Sequence, residues 1–264
     1  MTVAGETVIV EEGRGGRVTV TLNRSEVHNA FDDALILRLT GTLDAIAKRP
    51  EARVVVLTGA GKSFSAGGDL SWMRRMASYS EAENRADAAR LAALLHRLDA
   101  MPQPTLARVN GAALAGGMGL VSCCDVAIAA EGAVFGLSEV RIGLVPATIG
   151  PYVIAAMGVR AARRYMLTGE RFGAAEALRL GLIHRAVPAE GLDAAVEEAA
   201  AALALGGPAA LAETKALVAS LGGLATERVR AETAALIARV RASAEGREGV
   251  ASFLEKRKPA WSAP

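Results

Sequence analysis

An α/β fold is predicted by three features of the 264-residue chain. Runs rich in valine and isoleucine alternate with stretches whose leucines and alanines recur at helical spacing. One run, "RVVVLTG" at 53–59, is almost wholly apolar, as a strand covered on both faces is. Beyond residue 190 the strand signals stop and helical patterns remain. The expected division is therefore an α/β core over 1–195 and a helical region over 196–264.

The elements follow in order. "TVIVEE" and "RVTVTL" flank "GRGG" and read as a hairpin. "NRSEVHN" at 23–29 is a polar turn. "FDDALILRLTGTLDAIAKR" has helical spacing, with Asp32 and Asp33 where negative charge suits the helix dipole. "AGKSFSAGGD" at 60–69 follows the buried strand as a loop. "AENRADAARLAALLHRLDAM" is a second amphipathic helix. "PTLARVNG" is a strand, the glycine-rich 111–125 follows it, and "DVAIAA" and "AVFG" are further strands. The C-terminal helices are punctuated by "GGP" at 206–208 and "GG" at 222–223.

Composition excludes several classes. A hydrophobic content of 52% supports a sizeable core. The net charge of +2 comes from scattered arginines, without the clustered basic stripe that nucleic-acid binding requires. Two cysteines, adjacent at 123 and 124, cannot staple a fold; they suit a reducing, cytoplasmic setting. The N-terminal segment lacks the basic and apolar regions of a signal peptide. Residues 142–159 carry no charge, but Gly143, Pro146, Gly150, Pro151 and Gly158 interrupt them, so a buried loop and a short helix are expected rather than a membrane span.

The stretch "GAALAGGMGLVSCCD" at 111–125 has almost no reactive side chain. It misses the dinucleotide fingerprint, whose first glycine directly follows its strand, and no phosphate-loop lysine is present. Cys123 and Cys124 have no neighbouring ligands for a structural zinc site, and no metal site is expected. His28, His96 and His184 are far apart, and no G-x-S-x-G elbow exists. What glycines offer is backbone. A glycine-rich turn opening a helix presents N–H donors and positive potential. A second such loop, "SFSAGGD" at 63–69, also follows a strand. One N–H from each could converge on a carbonyl oxygen and form an oxyanion hole; taken alone, each loop reads more simply as a tight turn with close packing.

The ordered set "LNRSEVHNAF", "SFSAGGDL", "VNGAALAGGMGL", "CCDVAIAA", "FGLSEVRIGLVPATIGPYV" and "GREGVASFLEKRKPAW" resembles the crotonase (enoyl-CoA hydratase/isomerase) superfamily over nearly the whole chain. The resemblance implies a spiral of ββα repeats with C-terminal helices that assemble trimers, or hexamers as paired trimers. It implies oxyanion donors at Gly68 and Gly116, and an acid/base glutamate at Glu139. Val27, Ala30, Ala66, Gly67, Asp69 and Leu70 match positions lining the coenzyme A groove. The partner implied is an acyl-CoA thioester; coenzyme A is part of the substrate and no separate cofactor is expected.

One position departs from the pattern. Classical hydratases carry a second glutamate three residues after the Gly116 position, and here it is Gly119. Hydration then rests on Glu139 alone, with a proton relayed through the added water. Isomerisation needs only one such group, so it stands as the alternative, beside other crotonase reactions and a non-catalytic acyl-CoA-binding protein. Dienoyl-type isomerases add an aspartate at the position of Ala147, which disfavours that subclass. "SEVRIGLVPATIGPYV", "GGMGLVSCCD" and "DLSWMRRM" are similar to hydratases of branched, carboxylated glutaconyl-CoA substrates in leucine and terpene breakdown. Arg74 or Arg75 could meet a distal carboxylate, though a solvated helix face is the simpler reading. If the missing glutamate leaves room for the substrate, the acyl group should sit over Gly119.

Overall fold

A computed structural model describes residues 6–222 and 227–258. Gly223 and the last residues of the "KRKPAW" motif lie outside them.

The hairpin pairs β1 (Val8–Glu12) with β2 (Arg17–Leu22) in antiparallel register, Val8 opposite Leu22. Strand β2 is then joined in parallel by β3 (Val54–Gly59), β5 (Thr105–Val109), β7 (Val126–Ala130) and β10 (Arg185–Val187). A second sheet is built from short strands: β4 (Ser63–Ser65), β6 (Ala112–Leu114), β8 (Val134–Gly136) and the antiparallel β9 (Arg171–Gly173). The turns that start at β3, β5 and β7 each take one long strand in the first sheet, one short strand in the second, and a helix. The fold is the crotonase α/β spiral that the motifs implied.

The helices close those turns: α1 (Asp33–Ala47), α2 (Leu70–Met76), α3 (Glu81–Asp99), α4 (Gly116–Cys123), α5 (Gly150–Thr168) and α6 (Ala174–Arg179). Their starts are written in the sequence. Asp32 caps α1 by accepting from Leu35 N at 2.7 Å, and Ser80 with Glu83 forms a full capping box on α3. All six residues of β3 are buried, as its apolar run predicted. The uncharged 142–159 stretch is a loop leading into α5, which is longer than the short helix expected and breaks its geometry at Gly158 (φ +77°). Among the described residues no single helix is long and apolar enough to cross a membrane.

Four C-terminal helices follow: α7 (Leu192–Ala204), α8 (Pro208–Gly222), α9 (Glu227–Ala242) and α10 (Ala244–Leu254). The expected division at 195/196 falls inside α7, whose Leu192, Ala195 and Val196 pack on Val56, Leu106 and Ile128 of the first sheet. Helix α9 lies along α3, and α10 lies against α2 and the turn at Glu139–Ile142. These last two helices cover the site of their own chain.

Two local readings are corrected. The 60–69 segment contains β4 and is not a plain loop. The 23–29 turn is polar but not simply solvated: Asn29 is fully buried, donating from Nδ2 to Ala60 O and Ser63 O and accepting from Arg24 N through Oδ1. A residue fixed by three hydrogen bonds tolerates its left-handed φ of +55°. Cys123 and Cys124 are buried free thiols in the core.

Candidate active site

The site lies where the two glycine loops meet the start of the α5 segment. The first loop is placed by a clamp. Phe31 and Gly68 form a β-bridge in which Phe31 N donates to Gly67 O and Asp69 N donates to Phe31 O, both at 2.7 Å. That pattern leaves the Gly68 N–H without a backbone acceptor among the described residues. Gly67 makes the turn at φ +91°, a conformation few side chains adopt.

Asp69 ends the loop and opens α2. Its Oδ1 accepts from Ser71 N and Trp72 N, and its Oδ2 accepts from Arg24 Nη2 at 3.0 Å. Burial pushes the Asp69 carboxyl upward, but the Trp72 and Ser71 N–H groups and the Arg24 guanidinium outweigh it, so it sits below its ordinary value. Arg24 also donates to Ala30 O at 2.7 Å and pairs with Asp32 at 3.0 Å. One guanidinium thus ties three points of the loop's surroundings together. Arg24 and Asn29 lie inside the quoted "LNRSEVHNAF" motif, yet sequence reasoning selected Val27 and Ala30 from it.

The second loop is placed by close packing. Ala115 N donates to Gly136 O at 2.9 Å, and α4 begins at the next residue. As the first helical residue, Gly116 has no carbonyl one turn back for its N–H. A side chain at Gly116 would overlap the Phe31 ring. Ala115 itself sits at φ +47°, ψ −117°, a strained geometry for a residue with a Cβ.

Gly68, Gly116 and Glu139 line one cavity of about 170 Å³, together with Ala66, Ala115 and Phe31. Its walls are otherwise mostly apolar, with Trp72, Met73, Met76 and Leu144 among them. Glu139 opens a short 3₁₀ turn, Glu139–Ile142, that Gly143 ends in the left-handed region. Its Oε2 is buried with no hydrogen-bond partner. Burial lifts its pKa to about 7, against a small opposing effect of its own backbone N–H. That value suits a group that takes and returns a proton near neutral pH.

The other groove residues stand elsewhere. Ala30 and Gly67 are buried, Val27 and Leu70 are exposed apolar side chains, and Asp69 is occupied as described; none of the five lines the cavity. Neither Arg74 nor Arg75 reaches it: both are exposed, and Arg75 pairs with Asp33 at 2.6 Å. The charged residue that does line it with Glu139 is Arg241, from α9, more than a hundred residues away in sequence. Nothing local in the sequence marks it.

Gly119 offers no room for an acyl group. A Cβ there would overlap Ile149 Cγ2 and come within 3.5 Å of Leu95 Cδ2. Ile149, itself a cavity-lining residue, fills the space that a second carboxylate would need. The expectation that substrate sits over Gly119 is therefore corrected: the glycine is required by packing. Among the described residues no group of three or more metal-ligating side chains stands together.

Comparison with known proteins is consistent with this geometry. The model of the enoyl-CoA hydratase/isomerase family matches residues 12–264. A crystal structure of an enoyl-CoA hydratase from Shewanella pealeana is 44% identical, with a TM-score of 0.80 over 97% of this chain and 96% of that one. One from Mycobacterium avium is 36% identical, with a TM-score of 0.86 over 97% of this chain and 99% of that one. The 2,3-dehydroadipyl-CoA hydratase of Escherichia coli is 33% identical over 91% of this chain and 92% of its own length.

Proposed function

The chain belongs to the enoyl-CoA hydratase/isomerase family, and from that premise we propose that it is a hydratase adding water to a short or branched, carboxylated 2-enoyl-CoA thioester. The observation that carries the reading is the cavity shared by two uncommitted glycine N–H groups and one carboxyl whose Oε2 is buried without a partner. The thioester oxygen accepts from Gly68 and Gly116. Charge developing on that oxygen during reaction is then met by fixed donors, each worth ~3–4 kcal/mol in a water-poor site. Glu139, as carboxylate, takes a proton from water while the oxygen of that water bonds to the β-carbon. The resulting enolate takes the proton back at the α-carbon, and Glu139 is restored. Val27 and Leu70, exposed beside the first loop, offer apolar contact to the coenzyme A moiety outside the cavity.

The test is turnover of crotonyl-CoA and 3-methylglutaconyl-CoA, followed as loss of the conjugated thioester absorbance. A 3-hydroxyacyl-CoA product supports hydration. A shifted double bond with no water added supports the isomerase reading, which the single carboxylate and the filled Gly119 site favour over a two-carboxylate mechanism. Binding without any turnover would instead indicate an acyl-CoA-binding protein.

The reading includes a cytoplasmic setting, coenzyme A as part of the substrate with no separate cofactor, and assembly as a trimer or hexamer. Leu205, Leu217 and Val218 are exposed on the C-terminal helices, which supports self-association. A monomeric mass at micromolar concentration would refute the assembly.

A further inference from the structure

Arg241 is the feature of the cavity that the hydration chemistry does not use. Among the lining residues it and Glu139 are the ionisable ones. Its side chain is only 11% exposed, its Nη1 donates to Asp87 Oδ2 at 3.2 Å, and its guanidinium stacks over Trp72 with 5.6 Å from Cζ to the ring centroid. Asp87 is in turn fixed by Trp72 Nε1 at 3.3 Å. The Arg241 Nε is buried and has no partner.

A buried guanidinium N–H with no acceptor is costly, and sites tolerate such groups where a ligand supplies the missing oxygen. The local charge points to the sign of that ligand. Asp87 is shared between Arg241 and Arg90, the latter at 3.9 Å. Asp87 does not line the cavity, so Arg241 is the one positive charge among the lining residues. The rest of the cavity near it is apolar: Trp72, Met73, Ile237 and Phe253. An acyl chain running along these side chains would meet one charged donor.

We infer that Arg241 is a specificity-determining residue that holds a carboxylate on the acyl group, remote from the thioester. This rests on the proposed hydratase reading for what binds, and it assigns to α9 the recognition that the sequence had suggested for Arg74 or Arg75. The planar guanidinium matters, since Nη1 is engaged by Asp87 and Nε remains for the ligand.

The experiment compares saturated thioesters of matched carbon count, which bind without reacting: glutaryl-CoA against pentanoyl-CoA, and adipyl-CoA against hexanoyl-CoA, by calorimetry. In the wild type at least one dicarboxylic member should bind tenfold or more tightly than its partner. In Arg241→Lys, which keeps the charge beside Asp87, and in Asp87→Asn/Arg241→Gln, which removes both charges together, that ratio should fall to within about twofold. A wild-type ratio near one for both pairs overturns the assignment, as does a tenfold ratio retained in either variant that melts cooperatively. Failure of the hydratase reading is seen separately, as absent hydration of crotonyl-CoA, because the binding measurement needs no turnover.

Discussion

Asp69, which ends the first glycine loop, and Glu139, which lines the cavity, are pushed in opposite directions by their environments. Both are carboxyls removed from most solvent. Asp69 has acceptors filled by two helix N–H groups and a guanidinium, and it stays ionised below its ordinary pKa. Glu139 has one oxygen with nothing to accept, and burial raises it to about 7. The difference teaches which carboxyl holds the fold and which is free to move a proton: burial dominates at Glu139, while hydrogen bonds and a guanidinium outweigh it at Asp69.

The sharpest way to break the comparison is Glu139→Gln. It keeps shape and removes proton transfer, so kcat should fall by roughly 10²–10⁴ while acyl-CoA affinity changes little. Activity within tenfold of wild type would show that Glu139 is not the acid/base group. Asp69→Ala should act the other way round, chiefly on stability. It removes an N-cap and leaves Arg24 with one fewer partner, a loss of ~2–4 kcal/mol, read as a melting temperature lower by roughly 2–4 °C per kcal/mol for a chain of this size. Asp69→Asn, which keeps the cap, should lose less.

The pH dependence sharpens the same contrast. The folded-state pKa of Glu139 is raised, to about 7. Its contribution to stability is therefore fully present below the unfolded carboxyl value and is lost as pH rises through about 7. Asp69 has the opposite sign: its contribution is present above its unfolded value and is lost in acid. Denaturant titrations should show Glu139→Gln gaining on wild type between pH 5 and 8, by a difference on the order of 2–3 kcal/mol. Hydration should decline below about pH 7 as Glu139 becomes protonated.

A packing test comes next. Gly119→Ala should cost ~1–3 kcal/mol through overlap with Ile149. Gly119→Glu should lower activity on crotonyl-CoA and 3-methylglutaconyl-CoA together, with a lower melting temperature. The double variant Gly119→Ala/Ile149→Ala should recover part of the loss, since its two changes share one space. The smallest effect is expected at Ala115→Gly. Relief of strain at φ +47° opposes the greater unfolded-state freedom of glycine, leaving a gain of ~0.5–1 kcal/mol. An unchanged or lower melting temperature would show that the helix start is not strained.

Much was legible in the sequence because it is encoded locally. Periodicity and β-branched runs mark β1, β2, β3, β5 and β7. Asp32 marks the start of α1, while the Ser80/Glu83 capping box of α3 was not read from the sequence. The two glycine loops are visible as loops because only small residues permit such close approach, and Glu139 is visible through its "FGLSEV" setting. The strands β4, β6, β9 and β10, at three residues each, are too short to show alternation. Their pairing comes from the spiral and not from propensity.

By itself, then, the sequence determined the α/β class and the order of the elements, since periodicity and turn residues are properties of neighbouring residues; Gly68, Gly116 and Glu139 were reached only through its resemblance to a family. Only the tertiary structure decided what surrounds them. It placed Ile149 in the space beside Gly119, gave Arg24 its three anchoring contacts, and brought Arg241 from α9 to the cavity wall. It also left one oxygen of Glu139 without a partner. Each of these depends on contacts between segments distant in the chain, and burial and hydrogen-bond satisfaction have no value until those segments meet.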